Sequence, residues 1–133
     1  MAMLSFSNYG ADADGGPKYA SDTIKYFHSN YPDYVIDGEM QLNFSMNKEL
    51  RDRTFPFNTL RGRDVNTLIF PNLSSANISS KLLMELGIAG GSIGPIQMGL
   101  RKLVHFTDIE SSVRDIINLT TVAVVAAIAN KGR

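Results

Sequence analysis

Directly behind an apolar run, the segment Phe70-Pro71-Asn72-Leu73-Ser74-Ser75-Ala76-Asn77 gathers small, amide and hydroxyl side chains. Small residues at such a place let backbone N–H groups approach an anion such as a phosphate. Capping of a following helix accounts for Ser74 and Asn77 equally well, and the two roles are compatible. The absence of cysteine excludes disulfides, thiolate catalysis and cysteine-ligated metal. With only His28 and His105 present, a histidine-rich metal cluster within one chain is excluded too. His105 lies in the apolar run Leu103-Val104-His105-Phe106 and reads as a neutral, buried histidine with a backbone partner. Catalysis by it would lack a second histidine or a cysteine nearby in sequence. Arg61, Arg63 and Arg101 are cations able to meet phosphates, although a solvated surface accounts for each.

The elements that position these groups follow from periodicity. Alternation from Leu4 to Ser7 predicts a short strand near the N-terminus. Residues 8–17, rich in Gly and Asp, read as a surface loop. A helix opens at Pro17, repeats apolar residues at Ala20, Ile24 and Phe27, and ends at Tyr31-Pro32. Tyr34-Val35-Ile36 reads as a strand closed by Asp37-Gly38. Ser45 is expected to cap a short helix reaching Arg53, and residues 55–63 to form an exposed loop. Thr67-Leu68-Ile69-Phe70 is a continuous apolar run, as for a strand covered on both faces, and Pro71 stops it. Ser74 or Ser75 then caps a helix on which Ile78, Leu82 and Leu86 stack, with Gly87 and Gly90-Gly91 at its end. Residues 93–98 and 103–106 are predicted as further strands. The last helix starts at Ser111 or Ser112, with Gly132 beyond it as a stop. Val113, Ile116, Ile117, Thr120, Val124, Ala127 and Ile128 mark its expected buried face. Val122, Ala123, Val125 and Ala126 leave it almost no polar face after Asn118, so a subunit contact is expected to cover it. The five tyrosines Tyr9, Tyr19, Tyr26, Tyr31 and Tyr34 are explained by core or interface packing.

Strands alternating with helices predict an α/β fold with a largely parallel sheet, as one domain over residues 1–133. Ligands of such sheets sit beyond the carboxyl ends of the strands, which is where Phe70 to Asn77 fall. Thirteen basic residues balance thirteen acidic ones, which removes the electrostatic argument for nucleic acid or an anionic membrane surface. The uncharged stretch 116–130 is shorter than the roughly 20 apolar residues of a membrane span. The N-terminus lacks a signal-peptide pattern, so a cytoplasmic location is expected.

Thr67-Leu-Ile-Phe-Pro-Asn-Leu-Ser-Ser-Ala-Asn-Ile78 resembles a segment of phosphate acetyl- and butyryltransferases. Met3-Leu-Ser-Phe-Ser7, Asp37-Gly-Glu-Met-Gln41 and Gly94-Pro-Ile-Gln-Met-Gly99 agree with that family in the same order. The resemblance implies a three-layer α/β/α sandwich, one lobe of a phosphate acetyltransferase or isocitrate dehydrogenase-like fold. The family's catalytic Ser-Arg-Gly motif falls here on Asp108, Ile109 and Glu110. Ile109 cannot supply a phosphate-clamping guanidinium, and Asp108 would oppose an anionic substrate. Asp115 retains the family's downstream acidic position, which a first-turn helix carboxylate also explains.

Leu103-Val104-His105 and Ser112-Val113-Arg114-Asp115-Ile116 instead resemble the C-terminal region of large bacterial NADP-dependent malic enzymes, with Leu103 in place of the usual proline. Phe55-Pro56-Phe57 and residues 64–70 suit that subfamily. The match begins abruptly at Ala2-Met3-Leu4, so the chain is expected to be a fragment of that region. No Gly-x-Gly-x-x-Gly occurs for dinucleotide binding. NADP and a divalent metal would then belong to a catalytic region outside this chain, and no cofactor to the fragment. The resemblance implies a regulatory module that senses acyl-CoA, chiefly acetyl-CoA, without transferase chemistry of its own. Asn72, Ser74, Asn77, Ser92 and Gly94 are its expected ligand-binding residues. A homodimer through the final helix, Ser112 to Asn130, within a larger homo-oligomer is the expected assembly. The alternatives are an active phosphate acyltransferase and a purely structural dimerisation unit.

Overall fold

The computed structural model describes residues 1–12, 15–87 and 92–131. Its elements, in order, are β1 (Ala2–Leu4), α1 (Gly16–Asn30), β2 (Asp37–Met40), α2 (Leu42–Met46), α3 (Lys48–Thr54), β3 (Leu68–Ile69), α4 (Leu73–Glu85) and α5 (Val113–Lys131). The chain divides into two compact units, Met1–Leu82 and Leu83–Arg133, with the boundary inside α4.

The first unit carries a parallel sheet in the order β2-β1-β3. Parallel strands need crossover connections, and helical segments supply them, α1 between β1 and β2 and α2–α3 between β2 and β3. Ala2 pairs with both Asp37 and Leu68, which fixes the register across all three strands. Helix α1 opens as expected, with Gly15 at φ +82° before it and Pro17 in its first turn. Ala20 and Ile24 are buried on it, and Phe27 half-buried. Ala2, Met40 and Leu60 form the core cluster, with Tyr9, Phe44, Val65 and Leu68 packed against it.

Four local expectations are corrected in this unit. The second strand is Asp37–Met40, not Tyr34 to Ile36, so the Asp-Gly pair opens the strand instead of closing it. Its acidic residues are buried because distant donors reach them, a pairing no local pattern reveals. Ser45 lies buried inside α2, and the cap of α3 is Asn47, whose Oδ1 accepts from Leu50 N at 2.9 Å. The stretch 55–63 is a set of turns, but Asn58 and Leu60 within it are buried. Thr67 to Phe70 contributes the two-residue β3, and as an edge strand it is half-buried instead of covered on both faces.

Helix α4 has no fully buried residue, and its expected stripe of Ile78 and Leu82 is exposed, as is Leu86 just beyond it. Gly87 ends the helical turn with its N–H donated to Met84 O. The stop expected at Gly90-Gly91 lies outside the described residues.

In the second unit, residues 92–112 form neither helix nor strand. The strands expected at 93–98 and 103–106 are therefore absent. An extended apolar run becomes a strand only where a neighbouring strand pairs its backbone. Helix α5 begins one residue after Ser112, and the stop expected at Gly132 lies outside the described residues. The expected buried face is exposed: Val113, Ile116, Ile117, Val124 and Ile128 all face solvent. The covered stripe is instead Leu119, with Asn118, Val122, Ala123 and Ala126 half-buried at helical spacing. A near-uniform apolar helix does not announce which stripe is covered. By length and composition alone, the 18-residue window Val113–Asn130, with mean hydropathy 1.4, is enough to cross a membrane.

Candidate functional site

The parallel register brings the carboxyl ends of the three strands to one edge of the first unit. Beyond β1 come Ser5 to Ser7, beyond β2 Gln41, and beyond β3 Phe70 to Asn72. Ser5 N donates to Met40 O at 3.0 Å, and Gln41 N to Asn8 Oδ1 at 2.8 Å. Gln41 Nε2 reaches Phe6 O at 2.7 Å, which fastens the loop after β1 to the end of β2. Buried Ser7 turns that loop back by accepting from Asp12 N at 3.0 Å. In the sequence, Ser5, Ser7 and Gln41 stand out only as parts of the family-like motifs. Their meeting depends on the strand order, for which one sequence carries no signal.

At the third strand end, Asn72 is the helix cap, in place of Ser74 or Ser75. Its Oδ1 accepts from Ser75 N at 2.9 Å, and its carbonyl accepts from Ser75 Oγ. Ser74 and Asn77 are exposed and three residues apart, on one face of α4's first turns. Neither is the cap, so both side chains are available to a ligand. Ser92 and Gly94 belong to the second unit, and the strand expected to start beside them does not form. Ser92 is exposed, and Gly94 has φ +153° ahead of Pro95.

Asp108 closes a turn in which its N–H donates to Ser111 Oγ at 2.9 Å and its own carboxylate accepts from Ile109 N. The Ile109 side chain is 99% exposed. Asp115 and Ser112 form a reciprocal cap: Asp115 N donates to Ser112 Oγ, while Asp115 Oδ2 accepts Ser112 Oγ at 2.6 Å and Ser112 N at 3.0 Å. These bonds, the hydroxyl's first, hold the Asp115 carboxyl below the usual carboxylate range. His105 is half-buried outside any strand, and among the described residues neither ring nitrogen has a hydrogen-bond partner. The backbone partner expected for it is thus corrected.

A buried charged constellation behind the sheet edge escaped the sequence reading. Asp37 accepts from Tyr9 Oη, Thr59 N and Gly38 N, and Glu39 accepts from Gly10 N at 2.6 Å. Arg51 is fully buried, with Nη2 on Leu60 O (3.0 Å) and Arg63 O (2.7 Å) and Nε on Asp52. Asp52 also accepts from Gly62 N and Asn58 Nδ2, and the Gly62 bond leads the causes that hold its carboxyl below the ordinary range. The buried Asp-x-Glu spacing in a strand was the one local hint. Among the described residues, no group of three or more His, Asp or Glu is arranged to hold a metal ion.

A three-stranded parallel sheet joined by helical crossovers is that of an α/β protein. Residues 1–124 match the family described as phosphate acetyl/butaryl transferase, and the chain belongs to it. Over 127 residues it is 35% identical to the NADP-dependent malic enzyme of Salmonella typhimurium, an alignment of 96% of this chain and 17% of that protein. The Haemophilus influenzae NADP-dependent malic enzyme is 38% identical over 128 residues, 96% of this chain and 16% of its own. A crystal structure of a phosphotransacetylase from Streptococcus pyogenes superposes with a TM-score of 0.84 at 32% identity, covering 96% of this chain and 38% of that one. The chain thus spans less than a fifth of those malic enzymes, corresponding to their phosphate-acetyltransferase-like C-terminal region. The α/β class with a parallel sheet, expected for a lobe of such a fold, is the one observed.

Proposed function

We propose that this chain is the acyl-CoA-sensing regulatory and oligomerisation module of a cytoplasmic NADP-dependent malic enzyme, which oxidatively decarboxylates malate to pyruvate. The carrying observation is Ile109: where the transferases it resembles place a phosphate-clamping arginine, an apolar side chain stands in solvent. Asp115 is engaged in capping its own helix, and Asp108 in closing its own turn. Acetyl-CoA is the effector, its phosphates received at the amino end of α4 beside Ser74 and Asn77. NADP and the divalent metal act in the catalytic region of the longer enzyme. Regulation requires acetyl-CoA to bind two states of the assembly with different affinity.

The exposed apolar face of α5 serves the homodimer. Asn118, Thr120 and Thr121 interrupt its apolar run, which favours a protein partner over lipid. The test is calorimetric titration of the intact malic enzyme with acetyl-CoA beside malate-dependent NADPH formation. Binding that changes the rate supports sensing, and no binding by an active oligomer leaves an assembly scaffold.

A second reading, an active phosphate acyltransferase, draws on the retained Asp115. Turnover of acetyl phosphate and CoA by the complete two-lobe region would establish it and overturn the first.

A further inference from the structure

A second concavity lies at the opposite, amino end of β2, lined by His28, Pro32, Tyr34, Val35, Thr59 and Arg63 over the buried Ile36. Its frame is fixed by hydrogen bonds. His28 Nε2 lies 2.8 Å from Ile36 O, so that nitrogen carries the proton and donates it. Thr59 Oγ1 donates to the same carbonyl at 3.3 Å, and Thr59 N is held by Asp37 at 2.6 Å. The fully buried Arg51 holds the Arg63 carbonyl at 2.7 Å, so the residue bearing the second guanidinium is anchored through its backbone.

The Arg63 guanidinium itself is exposed and makes no side-chain hydrogen bond or ion pair among the described residues. Asp64 is already paired with Lys48 at 3.1 Å. Asp33 and Asp64 line the adjoining depression, which shares Tyr34, Val35 and Arg63. A planar cation with free donors is matched to a carboxylate, and the proline, tyrosine and valine walls to an apolar body.

We infer that this groove is a binding site for a small organic carboxylate with a compact apolar or aromatic body, its charged end on Arg63 and its body against Pro32, Tyr34 and Val35. The site is separate from the acyl-CoA edge and stands whether or not that reading holds.

Benzoate is the probe, with acetate and inorganic phosphate as comparisons, titrated into the whole chain while amide NMR shifts are followed. Saturable shifts confined to residues 28–36 and 59–63, with benzoate tighter than acetate or phosphate, are expected. Arg63→Gln, an exposed change that leaves the anchoring carbonyl in place, is expected to weaken benzoate about tenfold or more, the scale of a lost charge-assisted hydrogen bond. Equal affinity for benzoate and phosphate would mean charge attraction alone and overturn the proposal. So would an unchanged affinity in Arg63→Gln, or the absence of benzoate shifts.

Discussion

The Tyr9 hydroxyl donates to the Asp37 carboxylate at 3.2 Å, tying the loop after β1 to the first residue of β2. Burial, then the negative charge of Asp37 and this bond, push the Tyr9 phenol well above the ordinary tyrosine range. A pKa raised on folding gives stability that is full below the unfolded value of about 10 and is lost as pH rises through the folded one. An absorbance titration is expected to show a phenol ionising above that unfolded value, and Tyr9→Phe to remove it. The same variant is expected to lose about 1 kcal/mol in urea unfolding, one net hydrogen bond.

Gly38 sits where the paired strands leave no room. Its φ is +137°, and an added Cβ would lie 2.6 Å from Met3 O. Gly38→Ala therefore strains the backbone and pushes on the β1–β2 ladder at once. A loss of about 3 kcal/mol or more is expected in denaturant unfolding. Gly62→Ala is the control: its φ is also positive, at +73°, but nothing lies within 4 Å, so it should cost less.

The Ser112–Asp115 cap is read by pH. Asp115 is held below its ordinary range, so its contribution is present above the unfolded carboxylate value and is lost as pH falls through the folded one. Ser112→Ala removes the hydroxyl that leads this effect. NMR titration is expected to find the Asp115 carboxyl returned toward the ordinary value. Unfolding is expected to show about 1 kcal/mol lost with the cap.

Val125 tests the proposed α5 interface apart from the fold. It is exposed, while Val122, one turn back, is half-buried within the chain. Val125→Asp is expected to leave helicity unchanged by circular dichroism and to convert the parent oligomer to smaller species by light scattering, since an unpaired charge in an apolar interface is costly. An unchanged oligomer would remove this face of α5 from the assembly.

Local patterns sufficed where the physics is local. Pro17 and the Ala20-Ile24 spacing placed α1, and the hydroxyl at Ser112 placed the start of α5, because caps and turns act within one helical turn. The small polar residues after Phe70 marked the end of β3 and the start of α4 for the same reason, though the capping group is Asn72.

The strand Asp37–Met40 shows where local pattern fails. Asp37 and Glu39 are charges that a local pattern assigns to a turn, and they are tolerated in the interior only because Tyr9, Gly10 and Thr59 bring donors from remote parts of the chain. Arg51 is buried for the same kind of reason, its guanidinium spanning to Leu60 and Arg63. The runs at 93–98 and 103–106 fail in the opposite direction, apolar enough for strands but without a partner strand.

Sequence alone placed α1, the start of α5 and the family pattern. Tertiary structure decided which charges are buried, which face of α5 is covered and which strand ends converge. Those depend on free energies shared between residues far apart in the chain, and no window along the sequence contains both partners.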